Sequence, residues 1–219
     1  MVQVVTVATH ECDGLDRFLQ TCPNAIVLGL EKRKEFNMNF PGGGFKVNLL
    51  KNFLISYKNE NDLILFSDSF DAIITNTNIR LLPGTVVFSA EMCCWPDKSL
   101  ESKYPASPTP YRFLNSGGFI GSVKQLREIL DFDTVKDTED DQLFYTRAFL
   151  SGKFNIALDV NCRIFQTFNA SSNYLRIHQN KLVNVVTNTQ PHVLHGNGSN
   201  KIFFNRICDR VMPHKDQHT

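Results

Sequence analysis

Apolar residues fall in short runs along the chain, and these alternate with stretches of helical spacing. Val2 to Ala8 is dense in β-branched residues and gives way to Thr9-His10-Glu11, which reads as a buried strand with a polar loop at its carboxyl end. A short helix is expected from Asp13 to Thr21, broken by Pro23-Asn24, and Ala25 to Gly29 is a second run of strand length. Strand, helix, strand in that order favours a parallel sheet and an α/β fold. After a charged loop and Pro41-Gly42-Gly43-Gly44, residues Val47, Leu50, Leu54 and Tyr57 recur at helical offsets. Leu63 to Phe66 and Thr85 to Ala90 read as strands, Val123 to Leu130 and Asp137 to Phe149 as helices. Short strands are expected near Ile156, Ile164 and Leu175 and before His195. The proline-rich stretch from Pro96 to Pro110 reads as a surface loop, and the Gly pair in RFLNSGGFIG (112–121) as a point of close backbone approach. No internal repeat or linker interrupts this pattern, which predicts one domain over residues 1–208 and a tail over 209–219.

Polar residues cluster where strands end, the edge at which open α/β sheets bind ligands. Asp68 and Asp71 follow Leu63-Phe66 and offer hard oxygen ligands suited to Mg²⁺ or Mn²⁺, although a turn bonding to its own amides would use the same residues. His195 closes a later strand ahead of Gly196-Asn197-Gly198; beside two carboxylates an imidazole favours Mn²⁺ over Ca²⁺, whereas alone it would be structural. The three are expected at strand ends on one face of one sheet. Gly42 to Lys46 could set helix-terminal amides and a cation against phosphates, or form a plain connection with a solvated lysine; neither a P-loop nor G-x-G-x-x-G is present. Thr138 and Asp141 have the spacing of a helix cap, and Asp140 and Asp141 are also candidates to face a sugar. Trp95, the sole tryptophan, suits either a core or a sugar-stacking role. Metal-binding carboxylates, a phosphate-facing helix start and an aromatic beside a long loop together fit transfer from a nucleotide diphosphate.

Composition narrows the classes. The 219 residues carry 23 Lys and Arg against 22 Asp and Glu, a net charge of +1, which argues against a polynucleotide partner. No run approaches the length of a membrane helix, so no membrane partner is expected. The six cysteines form no C-x-x-C pair and read as reduced, mostly buried thiols. Sequons at Asn169 and Asn197 would matter only in a secreted chain.

Specific stretches carry a resemblance: Val5 to Glu11, Gly42 to Lys46, FSDSFD (66–71), Phe88 to Pro96, RFLNSGGFIG, Asp140 to Arg147, Arg163 to Gln166 and His195 to Gly198. In these, and in their order over Val2 to Asn205, the chain resembles the glycosyltransferase domain at the N-terminus of the multifunctional collagen lysyl hydroxylases. The resemblance implies a GT-A type, Rossmann-like fold with a mainly parallel central sheet, a UDP-glucose donor and Mn²⁺. It implies retaining transfer of glucose to galactosyl-hydroxylysine on a collagen-like polypeptide. By the same resemblance Asp68, Asp71 and His195 would bind Mn²⁺, and Val7, Thr9, Lys46, Asp68, Phe70 and Asn197 the UDP-sugar. Glu91, Trp95, Asn115, Asp140 and Asp141 would line the sugar and acceptor side and carry the catalysis.

The chain departs from the family where Phe70 replaces the usual Tyr and where Thr138 and Glu139 dilute a run of aspartates. His214-Lys215-Asp216 has the spacing of an iron-ligand pair but reads as solvated tail. Without a signal sequence or the family's further domains, a cytoplasmic protein of a microbe or of a virus-infected cell, or an excised piece of a secretory protein, is expected. Two other activities fit the residues: galactosyl or glucosyl transfer directly onto hydroxylysine, and a non-catalytic UDP-sugar- or collagen-binding scaffold.

Overall fold

The computed structural model describes residues 2–30 and 43–212. Gly42 and His214-Lys215-Asp216 lie outside the described residues. The elements in chain order are β1 (Val2–Val7), α1 (Asp13–Thr21), β2 (Ile26–Leu28), α2 (Gly44–Ile55), β3 (Leu63–Ser67), β4 (Ala72–Ile74) and β5 (Val86–Glu91). There follow β6 (Phe113–Ser122), α3 (Val123–Leu130), α4 (Asp141–Leu150), β7 (Ile156–Leu158), β8 (Phe165–Thr167), β9 (Leu175–His178), β10 (Lys181–Asn184), β11 (Val193–His195) and α5 (Lys201–Val211). The expected boundary at 208 falls inside α5. A short 3-10 helix, Lys98–Lys103, occupies part of the proline-rich stretch, which is anchored at its end by the buried Tyr111.

Six strands form the central sheet in the order β2-β1-β3-β6-β5-β7, all parallel except β6, which runs against both β3 and β5. Alternation along a strand sends successive side chains to opposite faces, and both faces here are apolar. Val5, Val7, Ile64 and Phe66 meet α2, α3 and α4 through Leu50, Leu54, Leu126 and Phe144, while Val4, Leu65 and Ile120 face the other way onto Phe18 of α1. A second sheet, β4-β11-β8, packs on that other face through Ile74, Val193 and Phe165. Its own reverse side, Ile73 and Leu194, is covered by Phe204 and Ile207 of α5 and by the β9-β10 hairpin. The molecule is thus layered as helices, large sheet, small sheet, then helix and hairpin.

This layering corrects one expectation. Asp68 follows β3 of the large sheet, but Asp71 precedes β4 and His195 ends β11, both in the small sheet. The start of α4 also differs. Asp140, not Thr138, is the N-cap, and its carboxylate accepts the amide of Leu143 at 2.7 Å. Residues 137–139 stay out of the helix because their carbonyls bind α2: Gly44 N–H donates to Glu139 and Phe45 N–H to Asp137. The first amides of α2 are therefore already paired, so among the described residues of this segment it is the Lys46 ammonium, and not a free helix N-terminus, that can meet an anion. Among the described residues no helix is long and apolar enough to cross a membrane, and all six cysteines are free thiols.

Candidate active site at the junction of the two sheets

Two adjoining cavities open where β1, β3 and β5 end and the small sheet begins. The larger, about 490 Å³, takes in Glu91, Trp95, Asn115, Asp140, His195 and Asn197. The smaller, about 280 Å³, is bordered by Val7, Thr9 and Phe70. Lys46, Asp68, Asp71 and Asp141 border both. Every site residue expected from the sequence therefore lines one cavity or the other.

Each part of the site has a local cause. The loop 68–71 is the crossing from β3 to β4 and so from one sheet to the other. Its first amide, Asp68 N–H, donates to Gly117 O of β6 at 3.0 Å. There β6 bulges: Phe88 of β5 pairs with Phe119, yet the next residue, Ser89, pairs with Asn115. The bulge brings Gly117 against the His195 ring, so closely that a Cβ would lie 2.1 Å from Cε1. Only glycine fits there.

His195 Nε2 stands 3.4 Å from an oxygen of Asp71 and 3.7 Å from one of Asp68. One ligand atom from each of the three residues can be chosen so that all lie within 4.8 Å of one another. Two carboxylate oxygens and an imidazole nitrogen fit a divalent ion of the Mn²⁺ type. Burial would lower the pKa of His195, but the carboxylates of Asp71 and Asp68 outweigh it and hold the ring above its ordinary value. Burial pushes Asp71 up, while His195 and Lys201 overcome that and leave its carboxyl well below the usual range.

Lys46 bridges Asp141 at 2.8 Å and Asp68 at 3.0 Å. Burial would depress its pKa, yet the two carboxylates raise it, so the ammonium stays charged. Phe70 is half-exposed beside the smaller cavity and packs against the His10 ring, centroids 4.7 Å apart. Trp95 is not a core residue: it is 61% exposed at the mouth of the larger cavity. Glu91 is buried, and that burial raises its pKa despite hydrogen bonds from Asn115 and Gln142.

Two residues absent from the sequence reading complete the site. Gln142, one position past Asp141, links Glu91 to Ser116 and to the carbonyl of Trp95. Lys201, in the first turn of α5, pairs with Asp71 and donates to Gly196 O. Gln142 was visible inside the Asp140–Arg147 stretch. Lys201 had no signal beyond its place six residues after His195.

The family model for the PLOD GT domain matches residues 1–217. A procollagen-lysine,2-oxoglutarate 5-dioxygenase of Drosophila melanogaster is 40% identical, over 93% of this chain and 31% of its own length. The human multifunctional procollagen lysine hydroxylase and glycosyltransferase LH3 is 39% identical, over 95% of this chain and 31% of its own. The chain thus spans about a third of the length of these curated relatives. Among solved structures, the galactosyltransferase LgtC with donor and acceptor sugar analogues superposes with a TM-score of 0.50 at 13% identity, covering 99% of this chain and 98% of that one. That likeness gives the fold, a GT-A type α/β architecture with a mainly parallel central sheet. On the family match and the identity to lysyl hydroxylases over nearly its whole length, this chain belongs to the PLOD GT domain family.

Proposed function

We propose that the chain is a Mn²⁺-dependent glycosyltransferase that moves glucose from UDP-glucose to galactosyl-hydroxylysine on a collagen-like polypeptide, with retention at the anomeric carbon. The observation that carries this reading is the clustering of Asp68 and Asp71, which border both cavities, with His195 of the larger one. The smaller cavity, with Val7, Thr9 and Phe70, suits a uridine, whose base can stack on the phenyl ring. The larger, with the exposed Trp95, suits a sugar and its acceptor. The diphosphate would then lie between them.

Asp68, Asp71 and His195 would hold the Mn²⁺, which as a Lewis acid neutralises charge on a departing diphosphate. Lys46 is a fixed cation at the same border, kept charged and oriented by Asp68 and Asp141. Lys201 supplies a second cation from α5. Asp140 lines the larger cavity and Asp141 borders both, and there a carboxylate would orient sugar hydroxyls. Trp95 offers an apolar face on which the acceptor sugar is held while excluding water from the reacting carbon. The acceptor hydroxyl oxygen would bond to the anomeric carbon from the Trp95 side, on the face that the diphosphate leaves, as the carbon–diphosphate oxygen bond breaks and the hydroxyl proton passes to the departing diphosphate.

The test is UDP release from UDP-glucose and from UDP-galactose, each with Mn²⁺ or chelator, with and without a galactosyl-hydroxylysine peptide. Acceptor-stimulated, Mn²⁺-dependent release from UDP-glucose is expected, with the product linkage read as α by NMR. Preference for UDP-galactose or for unglycosylated hydroxylysine would replace the substrate assignment. Donor binding without turnover would replace the enzyme with a binding scaffold.

A further inference from the structure

Four buried side chains in the wall of the larger cavity, Glu91, Asn115, Gln142 and His195, are joined by hydrogen bonds whose donors and acceptors fix one another. Gly117 N–H, which can only donate, points at Oδ1 of Asn115 from 3.1 Å. That end of the amide is therefore the oxygen. The other end, Nδ2, donates to Glu91 Oε1 at 3.0 Å and to Gln142 Oε1 at 3.2 Å. Gln142 is oriented in turn, because its Oε1 accepts Ser116 N–H at 3.2 Å and its Nε2 donates to Glu91 Oε1 at 2.7 Å. Turning the Asn115 amide over would face an NH₂ group with the Gly117 N–H and leave Glu91 opposite an oxygen.

The oxygen of Asn115 also lies 3.1 Å from Nδ1 of His195. An amide oxygen only accepts, so Nδ1 carries the hydrogen. In the neutral ring Nε2 then carries the lone pair, and Nε2 is the atom that faces Asp68 and Asp71. With two donations made and two accepted, Asn115 has spent its full hydrogen-bonding capacity. No donor or acceptor remains on it for a sugar hydroxyl.

We propose that Asn115, locked by Glu91 and Gln142, is a positioning residue for His195: it fixes the Nδ1–H tautomer so that Nε2 is presented to a divalent cation beside Asp68 and Asp71. This rests on the metal-binding reading above and moves Asn115 from the sugar to the layer behind the metal ligands. Glu91 acts there as the anchor that sets the amide's direction.

The test uses the full chain without metal at alkaline pH, with ¹⁵N-labelled histidine and His195→Gln to assign the resonance. The expected result is a His195 ring with a protonated Nδ1 and an unprotonated Nε2. Asn115→Leu, close in shape, should give a mixture of tautomers and weaken Mn²⁺ binding, followed by water proton relaxation, about 10- to 100-fold. Glu91→Gln, which still offers an oxygen to Asn115, should keep the wild-type tautomer. An Nε2–H ring in the wild type overturns the inference even if no variant folds. So does Asn115→Leu binding Mn²⁺ as tightly as wild type. Wild-type protein that binds no Mn²⁺ removes the metal-site reading itself along with it, and is distinguishable because the variant comparison then has no baseline.

Discussion

Asp68 divides its two oxygens between different jobs: one faces Lys46, the other the imidazole of His195. Removing the carboxylate should therefore cost both a metal ligand and the restraint on the lysine. Asp68→Ala is expected to lose at least about 100-fold in transfer, since two ligands hold a divalent ion poorly. Near-normal Mn²⁺-dependent turnover in that variant would remove the triad from the mechanism. Trp95 is the opposite case. Being exposed, Trp95→Ala should shift the unfolding free energy by no more than about 0.5 kcal/mol. Acceptor KM and kcat should suffer while UDP affinity holds, which initial-rate kinetics and UDP titration separate.

His195 also makes the stability of the fold depend on pH. Its folded-state pKa is raised above the unfolded value of about 6.5. In metal-free protein the charged ring therefore stabilises the fold fully below about pH 6.5, and this contribution is lost as pH rises through the higher folded value. An imidazole binds Mn²⁺ only in its neutral form, so at pH values where the ring is charged metal binding should release a proton. Calorimetry in buffers of different ionisation enthalpy reads that proton directly. A buffer-independent heat would show that His195 does not ligate.

At the scale of elements the decisive piece is the bulge of β6. Gly117→Ala would place a methyl inside the His195 ring, at 2.1 Å from Cε1, and the ring cannot retreat because it is buried and held by Asn115. Overpacking of this kind costs about 1–3 kcal/mol. The expected signature is a lower denaturation midpoint together with weakened Mn²⁺ binding, where an ordinary core mutation would give only the first. Such a bulge was beyond the reach of the sequence. The Gly pair in 112–121 signals close approach, but neither a strand nor its antiparallel direction can be read from it. By contrast β1, β3 and β5 were legible because a strand buried on both faces is a continuous apolar run. The three-residue β4 was hidden behind the polar loop that precedes it. Helix α5 has Phe204, Ile207 and Cys208 at helical spacing, yet its charged outer face dilutes the signal in a region otherwise read for His195. The site residues themselves were legible as a family pattern. Their division into ligands and supports was not, because it depends on which hydrogen bonds are already satisfied.

Across the whole molecule the two sheets, the hairpin and the cavity wall must keep register for the site to exist. A buried tie joins three of them. The hydroxyl of Tyr111 accepts from Gln166 of β8 and from Asn184 of β10, each at 2.9 Å. Tyr111→Phe leaves one amide hydrogen on each partner without an acceptor, which should cost about 1–3 kcal/mol in urea denaturation. A change within about 0.3 kcal/mol would mean that the layers are held by apolar packing alone.

The residues common to both cavities hold one more consequence. Asp68, Asp71 and Asp141 bring three negative charges to that border and Lys46 returns one, and even with Lys201 pairing Asp71 from α5 the passage is anionic when the imidazole is neutral. A nucleotide diphosphate approaching it is repelled, and a divalent ion reverses the sign of the field it meets. On the proposed reading the ion would add first and the nucleotide second. Initial velocities should then show the cation raising the apparent affinity for the nucleotide, while saturating nucleotide never replaces the cation.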